Sequence, residues 1–582
     1  MDAPTTFACF GIESLGQCSY NPASPGNLYF SLGEVVGALA FTLAAQQLLK
    51  QVVIFRLNAR YLKLTHVYGL VFLGVGASIV AAIVPNIPAL HSGPSGYALN
   101  WEMLAALLFV GAYAAIVLAL TKPVRVRPDQ IEAFAREAAR LLSTAVETDY
   151  LDFTPDLQRS LPTLIRASTF VQGQRRTTAF YDFLYRNQIR NAAYAASLLR
   201  IVADAHYCQH LVSRQAWRVA TILGEISGKQ LHSRSAEQFV QQLGFQAIMC
   251  DESLVAREVG YSGFRAAPFL SESLFSDQFI LTRYNPFQSF SAASADEITP
   301  EALGRFNDAA ERCFDTLIRE KECDFVYAAF SIQAYYRSVF MWAHVQQRES
   351  KYDHRLVLGI SDGPEMAAKM ANRLLANATS HEYAALYLND IDERRHDILQ
   401  ALVEIVYEAL CGIANQFSGI DDPFWMLAMD FVHNVFPSIG VQPDGMTPFQ
   451  QRLAIMIAKK LKHNVTGFYP AVLRVLLANV GPYAHAAGQP NRTAFNLLKD
   501  VLYIRLRELK QLNEKNPEKV SDYLPPNVSY SPAINRIVHT YRDGRKIITD
   551  ISSLQIRAFS LVSPSIHRPL TNDERKAASR RR

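Results

Sequence analysis

Long apolar runs are concentrated in the first 120 residues of the chain. Val67–Val84 and Met103–Leu120 each hold 18 residues without a charged side chain. At about 1.5 Å per residue, a run of this length crosses the hydrocarbon layer of a bilayer. A third segment, Asn27–Leu49, is interrupted by Glu34, so it fits either a spanning helix or an amphipathic helix at the membrane surface. The pattern predicts three transmembrane helices, at about 27–49, 67–84 and 101–120.

Beyond these runs, apolar positions follow the three-to-four-residue period of helices that pack on a core. One predicted helix carries its apolar face on Ile131, Phe134, Ala138 and Leu141. Thr299 with Pro300 predicts the start of another helix, because threonine caps a helix and proline fits its first turn. Gly363 with Pro364 predicts a further helix start by the same reasoning. Residues 181–228 predict one long helix or two stacked helices.

A different pattern occurs near the C-terminus. Ile537–Tyr541 and Ile547–Ile551 are β-prone runs on either side of Asp543-Gly544, a dipeptide that tolerates the backbone angles of a tight hairpin turn. The predicted fold class is therefore mainly α. It comprises three N-terminal transmembrane helices, a large cytoplasmic α-helical domain and a short C-terminal β-hairpin.

Changes in composition predict where the chain divides. Residues 255–297 are rich in glycine, proline and serine, and four prolines fall within 516–532. The predicted segments are an extracytoplasmic N-terminal segment (1–26), the transmembrane region (27–120), a first helical lobe (128–254), a loop-rich connection (255–297), a second helical lobe (298–516), a linker with the β-hairpin (517–566) and a basic tail (567–582).

The distribution of basic residues predicts the orientation, since loops rich in lysine and arginine stay on the cytoplasmic side. Segments 50–66 and 122–127 are basic, whereas 1–26 and 86–100 contain neither lysine nor arginine. The N-terminus is therefore predicted outside, and the large C-terminal domain in the cytoplasm. The predicted location is the plasma membrane, which is the inner membrane if the source is bacterial. The bilayer lipid is the first expected partner.

Composition narrows the class of protein. The chain has 582 residues, 49% hydrophobic and 19% charged. This balance is too apolar for a disordered chain and too polar for a transporter built mostly of spanning helices. The formal net charge of +5 is too small an excess over this length to argue for nucleic acid as a partner.

The seven cysteines divide along the predicted topology. Cys9 and Cys18 lie in the segment placed outside, where they form either a disulfide or two unpaired thiols. Five others fall in the part placed inside and are expected to be reduced and buried. They are Cys208, Cys250, Cys313, Cys323 and Cys411.

Two acidic residues of the membrane region are candidates for a pore mouth. Glu34 and Glu102 are predicted near the outer ends of their helices. Repeated in a ring by a homo-oligomer, such carboxylates concentrate cations. The alternative is that each carboxylate is simply solvated among the lipid headgroups.

Small residues in the second and third predicted membrane helices indicate close helix packing. They are Gly74, Ser78 and Ala82 in the second helix and Gly111 and Ala115 in the third. Packing within one subunit explains this spacing as well as packing between subunits.

In the cytoplasmic part, His206 and His210 are four residues apart, so they share a helix face and fit two ligands of a zinc ion. The glutamate of an HExxH motif is missing, and ordinary helix histidines explain the pair equally.

A basic group provides a candidate contact for an anion or lipid headgroup, or alternatively a solvated face. It consists of Arg175, Arg176, Arg186 and Arg190.

The sequence contains no phosphate-binding loop, no GxGxxG and no GxSxG motif. No cofactor is predicted, and no catalytic residue is identified. The hypothesis is a membrane-anchored protein whose cytoplasmic domain binds or senses a ligand or partner protein and is coupled to an oligomeric membrane part, such as a pore. The alternatives are a membrane-tethered metal-dependent hydrolase and a membrane scaffold for a protein partner.

Overall fold

The computed structural model describes residues 5–8, 17–20, 50–60, 63–83, 98–144, 147–169, 186–258, 267–292, 298–321, 326–348, 354–379, 382, 397–416, 435, 447–463, 514–515, 528–531, 536–540 and 546–550. Most of these residues are helical, so the prediction of a mainly α protein is confirmed. The chain divides into two compact units, Met1–Ser289 and Phe290–Arg582.

The first unit begins with a pair of short strands followed by helices. The strands β1 (Thr5–Ala8) and β2 (Gln17–Tyr20) pair antiparallel. The helices, in chain order, are α1 (Gln51–Asn58), α2 (Leu64–Ile83), α3 (Ala98–Thr121), α4 (Ile131–Thr144), α5 (Glu147–Thr169), α6 (Arg186–Ile201), α7 (Ala205–Arg214), α8 (Ala216–Gly228), α9 (Arg234–Met249), α10 (Leu254–Glu258), α11 (Leu270–Phe275) and α12 (Gln278–Arg283).

Helices α2 and α3 are long and apolar enough to cross a membrane. They correspond to the runs predicted at 67–84 and 101–120. Only 33% of the apolar window in α2 and 22% of that in α3 is buried inside the protein. The core helix of a soluble protein would be mostly buried, so the exposure favours a lipid environment. The predicted helix at 27–49 lies outside the described residues.

The two apolar helices form an antiparallel pair. A Cβ placed at Gly74 of α2 would lie 3.1 Å from the ring of Phe109 on α3, and one placed at Gly111 of α3 would lie 4.0 Å from Leu70 on α2. The first of these distances is tighter than ordinary van der Waals contact. The glycine at position 74 therefore lets the two backbones approach.

Replacing Gly74 by leucine is expected to weaken the α2–α3 pair by about 1–3 kcal/mol, because the added side chain must displace Phe109. Gly76→Leu is the matched control, since a Cβ at Gly76 meets no atom within 4 Å. Unfolding of both variants in detergent, followed by circular dichroism, measures the difference. Equal stability of the two variants would contradict the packing described.

The basic connection at 50–66 contains a buried helix. Val53, Phe55 and Leu57 of α1 are each at most 4% exposed. Val53 and Leu57 belong to the same apolar cluster as residues of α2 and α3, among them Val71 and Ala115. Helix α1 therefore packs against the helix pair itself, although sequence analysis treated this stretch only as a loop.

The rest of the first unit packs amphipathic helices around a common core. The predicted face of α4 is confirmed, because Ile131, Phe134, Ala138 and Leu141 are all buried. Residues 181–228 were predicted as one long helix or two stacked helices, but their described part forms three helices, α6 to α8. The helical run is broken where the Asp204 carboxylate caps α7 by accepting from the amides of His206 and Tyr207.

The loop-rich character predicted for 255–297 holds only in part, since α11, α12 and most of α10 lie within it. Buried Glu258 holds this region by accepting hydrogen bonds from the amides of Phe269, Leu270 and Ser271 at 2.8–2.9 Å. Such a contact joins residues 11 to 13 positions apart, which period and composition do not reveal.

The second unit contains five further helices within the described residues. They are α13 (Pro300–Arg319), α14 (Tyr327–Arg348), α15 (His354–Asn377), α16 (Ile398–Gln416) and α17 (Pro448–His463). The Thr299 cap of α13 is confirmed, since its hydroxyl accepts from the Ala302 amide at 3.1 Å. The helix start predicted at Gly363-Pro364 is wrong, because both residues lie inside α15. Gly363 faces the ring of Tyr336, which leaves no room for a larger side chain.

Three short strands near the C-terminus pair antiparallel in the order β3-β4-β5. They are β3 (Val528–Ser531), β4 (Arg536–Thr540) and β5 (Lys546–Asp550). In the register, Val538 faces Ile548. The turn at Asp543-Gly544 lies outside the described residues, so the hairpin stays a prediction. The basic tail at 567–582 lies outside them as well.

Candidate functional site at the end of the apolar helix pair

Arg56 of α1 connects three helices through one guanidinium group. Its Nη1 donates to the carbonyls of Ala119 and Leu120 in the last turn of α3, both at 3.2 Å. Its Nη2 donates to the carbonyl of Asp152 on α5 at 2.8 Å. Its Nε donates to the carboxylate of Asp156 on α5, at 2.9 and 3.2 Å. Arg56 thus caps the C-terminus of an apolar helix and binds the helical domain at the same time.

Asp156 completes this arrangement from the side of the domain. Its side chain is 0% exposed, and it also accepts a hydrogen bond from the amide of Val124. One turn further along α5, the Ser160 hydroxyl bonds to the amide and carbonyl groups of Val126 and Val124 at 3.2 and 3.3 Å. The chain that leaves α3, residues 122–127, is therefore fixed along α5; it is called here the connecting segment. The junction is Arg56, Asp156 and their hydrogen-bond partners.

Burial governs the electrostatics of the junction. It raises the pKa of the Asp156 carboxyl to about 6, against the opposing attraction of Arg56 and the hydrogen bond from Val124. Burial also lowers the pKa of Arg60, which donates to the Lys122 carbonyl. At the solvent edge, Lys50 pairs with Asp152 at 2.9 Å. Removing only one partner of a buried charge pair costs stability, because the other charge is left buried without a partner.

The raised pKa of Asp156 predicts a pH dependence of stability. The pKa of about 6 in the folded protein exceeds the ordinary value of 3.8 for an aspartate, so the neutral carboxyl favours folding. This contribution is complete below about pH 3.8 and is lost as the pH rises through 6. Relative to Asp156→Asn, the wild-type free energy of unfolding is expected to fall on the order of 3 kcal/mol between these limits. Denaturant unfolding of both proteins in detergent measures it, and a difference independent of pH would contradict this assignment.

Aromatic contacts extend from the junction into the domain. The Phe55 ring of α1 meets Phe134 of α4 at 5.2 Å and Phe153 of α5 at 5.3 Å, both edge-on. Phe153 in turn contacts Tyr207 of α7 at 6.2 Å, and the Tyr207 hydroxyl lies 3.3 Å from that of Thr154. A packed path therefore runs from α1 to α7 without a solvent gap, since Phe55, Phe153 and Tyr207 are all buried.

The two candidate zinc ligands, His206 and His210, have different environments in the structure. His206 is exposed, whereas the His210 ring packs 5.7 Å from that of Tyr150. The nearby Asp204 carboxylate is occupied as the cap of α7. No group of three His, Cys, Asp or Glu side chains suited to a metal ion occurs among the described residues.

Of the two candidate pore-mouth residues, Glu102 lies among the described residues and Glu34 does not. Glu102 lies in α3 and is only 4% exposed. Its role at a pore mouth, and the alternative of a carboxylate solvated among the lipid headgroups, both stay predictions. Glu34 lies outside the described residues.

The predicted small-residue contacts are partly observed. Gly74 and Ser78 are buried, and the Ser78 hydroxyl donates to the Gly74 carbonyl at 3.0 Å. Ala115 is 5% exposed and faces α2. Gly111 differs in being exposed, although a Cβ there would still lie 4.0 Å from Leu70 of α2. Ala82 lies in α2 near its end.

Sequence analysis missed the alanines that α3 buries, Ala105, Ala112 and Ala119, each at most 3% exposed. Their signal is a seven-residue spacing, which keeps small side chains on one face of a helix.

Of the candidate anion contacts, Arg186 is exposed, while Arg190 pairs with Glu132 of α4 at 2.9 Å. Arg175 and Arg176 lie outside the described residues.

Cys18 lies in β2, where its backbone faces Phe7, and Cys9 lies outside the described residues, so their disulfide stays a prediction. Burial is confirmed for Cys208, Cys250, Cys313 and Cys411, all of which are free thiols.

Neither member of the central charge pair was identified as a site residue beforehand. The available signal was Asp156 on the apolar face of α5, between Phe153 and Leu157. A carboxylate at a core-facing position requires a partner, but sequence does not say which cation supplies it.

Comparison of the chain with protein-family models, with curated proteins and with solved structures found no match.

Proposed function

We propose that this chain is a membrane-anchored protein whose helical domain binds or senses a cytoplasmic ligand or partner, and that the junction passes this event to the membrane helices. The observation that carries the proposal is the buried Arg56–Asp156 pair, which holds the last turn of α3 against α5. A contact of this kind transmits displacement, because neither partner can move away without leaving a charge buried and unpaired.

The membrane part of the proposal rests on the outer surface of α2 and α3. Large apolar side chains there are 38–70% exposed. They are Phe72, Leu73, Ile79, Met103, Leu104, Leu107, Val110, Tyr113, Leu118 and Leu120. A contiguous apolar surface on two neighbouring helices is what a bilayer covers.

The proposed topology has three spans, with the N-terminus outside and the helical domain inside. It is supported by the antiparallel arrangement, since α2 begins at Leu64 and α3 ends at Thr121. Both predicted basic segments, 50–66 and 122–127, therefore lie at the same end of the helix pair. The segment 27–49 supplies the third span in this proposal, and the C-terminal hairpin completes the fold.

The oligomeric pore of the sequence hypothesis stays a prediction. The proposed function comprises anchoring, binding and coupling.

Hydrogen exchange of the full-length protein in lipid nanodiscs tests the coupling. The variant R56M/D156L removes the hydrogen bonds of the junction without leaving an unpaired charge, so the fold is expected to persist. We expect faster amide exchange in the last turn of α3 and in the connecting segment. The matched control is Asp277→Ala, which removes the side-chain cap of α12 in the same unit.

If the junction couples the end of α3 to the domain, the Asp277 variant changes amide exchange only around α12. Unchanged exchange at the end of α3 in R56M/D156L would contradict the proposed function.

A further inference from the structure

The connecting segment is an extended chain whose alternate residues have opposite environments. Val124 and Val126 are each 3% exposed, and their backbones are held by Asp156 and Ser160 of α5. Side chains of an extended strand alternate in direction. The residues between and after the two valines, Arg125 and Arg127, are exposed.

The basic side chains of the connecting segment are placed close to the end of α3. Lys122 directly follows the helix, and its amide still donates to the Leu118 carbonyl at 3.1 Å. Arg125 follows three residues later, at most about 10 Å along the chain from Lys122, and Arg127 is about 7 Å beyond it. The interval from Lys122 to Arg125 is comparable to the Debye length at physiological salt.

The charge balance of this surface is positive. Within the part of the chain that the structure describes, Lys122, Arg125 and Arg127 form no ion pair with a side chain. At the same end of the helix pair lie two further cations, Arg60 and Lys63, and the carboxylates of Asp149, Asp152 and Glu137, of which Asp152 is paired with Lys50. The one acidic side chain within the adjoining turn is Asp129. Arg190 differs from these residues, because Glu132 already neutralises it.

We propose that Lys122, Arg125 and Arg127 form a binding site for the phosphate headgroups of anionic phospholipids in the leaflet at this end of the helix pair. The inference rests on the proposed membrane anchoring of α2 and α3. A guanidinium group binds two phosphate oxygens at once through parallel hydrogen bonds. The backbone of the connecting segment is already fixed on α5, so the spacing of the two arginines is set before a lipid binds. An ordered pair of arginines therefore loses less freedom on binding than the same residues in an unrestrained tail.

The site also has a consequence for the junction. Val124 lies in the connecting segment with the two arginines, and its amide donates to Asp156, the same α5 carboxylate that binds Arg56. Headgroup binding would therefore favour the arrangement in which the connecting segment is docked on α5.

Native mass spectrometry of the full-length protein, titrated with phosphatidylglycerol in detergent, measures the first lipid-binding constant. Removing both arginines in R125Q/R127Q is expected to weaken it about thirty-fold, since each basic residue near an anionic surface contributes about five-fold. The control R200Q/R234Q removes two exposed arginines of α6 and α9 and is expected to leave the binding constant unchanged. Phosphatidylcholine and inorganic phosphate serve as competitors.

We expect neither competitor to displace phosphatidylglycerol. Equal binding by wild type and R125Q/R127Q, an equal loss in R200Q/R234Q, or displacement by inorganic phosphate would each overturn the inference. Carbonate extraction of membranes from the same preparation separates this failure from that of the proposed function. A chain that stays in the membrane but fails the titration refutes the lipid site alone, whereas a chain that is extracted refutes the anchoring and the lipid site together.

Discussion

Replacing Val110 by lysine is expected to impair membrane insertion of the chain severely. Val110 lies in the middle of α3 and is 63% exposed, so no protein contact is lost. A lysine at the centre of a spanning helix costs about 2.5–3.5 kcal/mol of insertion free energy. At a site exposed to water, the same substitution would be neutral or slightly favourable, because lysine forms helices better than valine. The sign of the effect therefore distinguishes lipid from water around α3.

Fractionation after alkaline carbonate treatment measures this effect as the share of chain that stays in the membrane pellet. Ile201→Lys is the matched control, since Ile201 is a 38% exposed apolar residue at the end of α6 in the helical domain. We expect the control to fractionate as wild type. Normal membrane retention of Val110→Lys would show that α3 does not lie in lipid.

Replacing Arg56 by methionine is expected to cost about 3–5 kcal/mol of stability in the first unit, because the buried carboxylate of Asp156 loses its cation. The loss should be smaller at pH 5 than at pH 8. The pKa of Asp156 is already raised by burial, and without Arg56 the carboxyl protonates more readily. Denaturant unfolding in detergent, followed by tryptophan fluorescence and circular dichroism, gives the free energies.

The double variant R56M/D156L provides the internal control for this prediction. Replacing both partners of a buried pair by apolar residues is often neutral or stabilising. We therefore expect the double variant to recover most of the stability that the single variant loses. A double variant as unstable as Arg56→Met would show that the pair does not account for the loss.

Local periodicity was sufficient to predict the elements whose partners are nearby in sequence or follow a regular face. The apolar face of α4 and the Thr299 cap of α13 are examples, since each depends on residues within one or a few turns. The apolar runs of α2 and α3 were found for the same reason, because length and lack of charge are local properties.

The errors have a common physical cause, which is contact between distant parts of the chain. Gly363-Pro364 resembles a helix start, but Gly363 is required inside α15 by the close approach of Tyr336 on α14. Likewise, the buried Glu258 binds the start of α11 through amides more than ten residues away. Composition reveals neither the approach of Tyr336 to Gly363 nor the amides that Glu258 binds.

The candidate site shows the same limit. Arg56 was counted among the basic residues that set orientation, although its guanidinium is a buried structural group. Its partner Asp156 lies 100 residues further along the chain. Sequence alone identified the basic end of the helix pair but not the pairing that joins it to α5.

The depth of residue 110 in the bilayer distinguishes a membrane-spanning α3 from a helix surrounded by water. A nitroxide spin label is attached at position 110 in a full-length chain whose seven native cysteines have been replaced, and the protein is reconstituted in nanodiscs. A label at position 201 serves as the reference. If α3 crosses the membrane, the label at 110 collides more with oxygen than with a water-soluble nickel chelate, and the label at 201 shows the reverse. Equal preference for the nickel chelate at both positions would show that α3 does not cross the membrane.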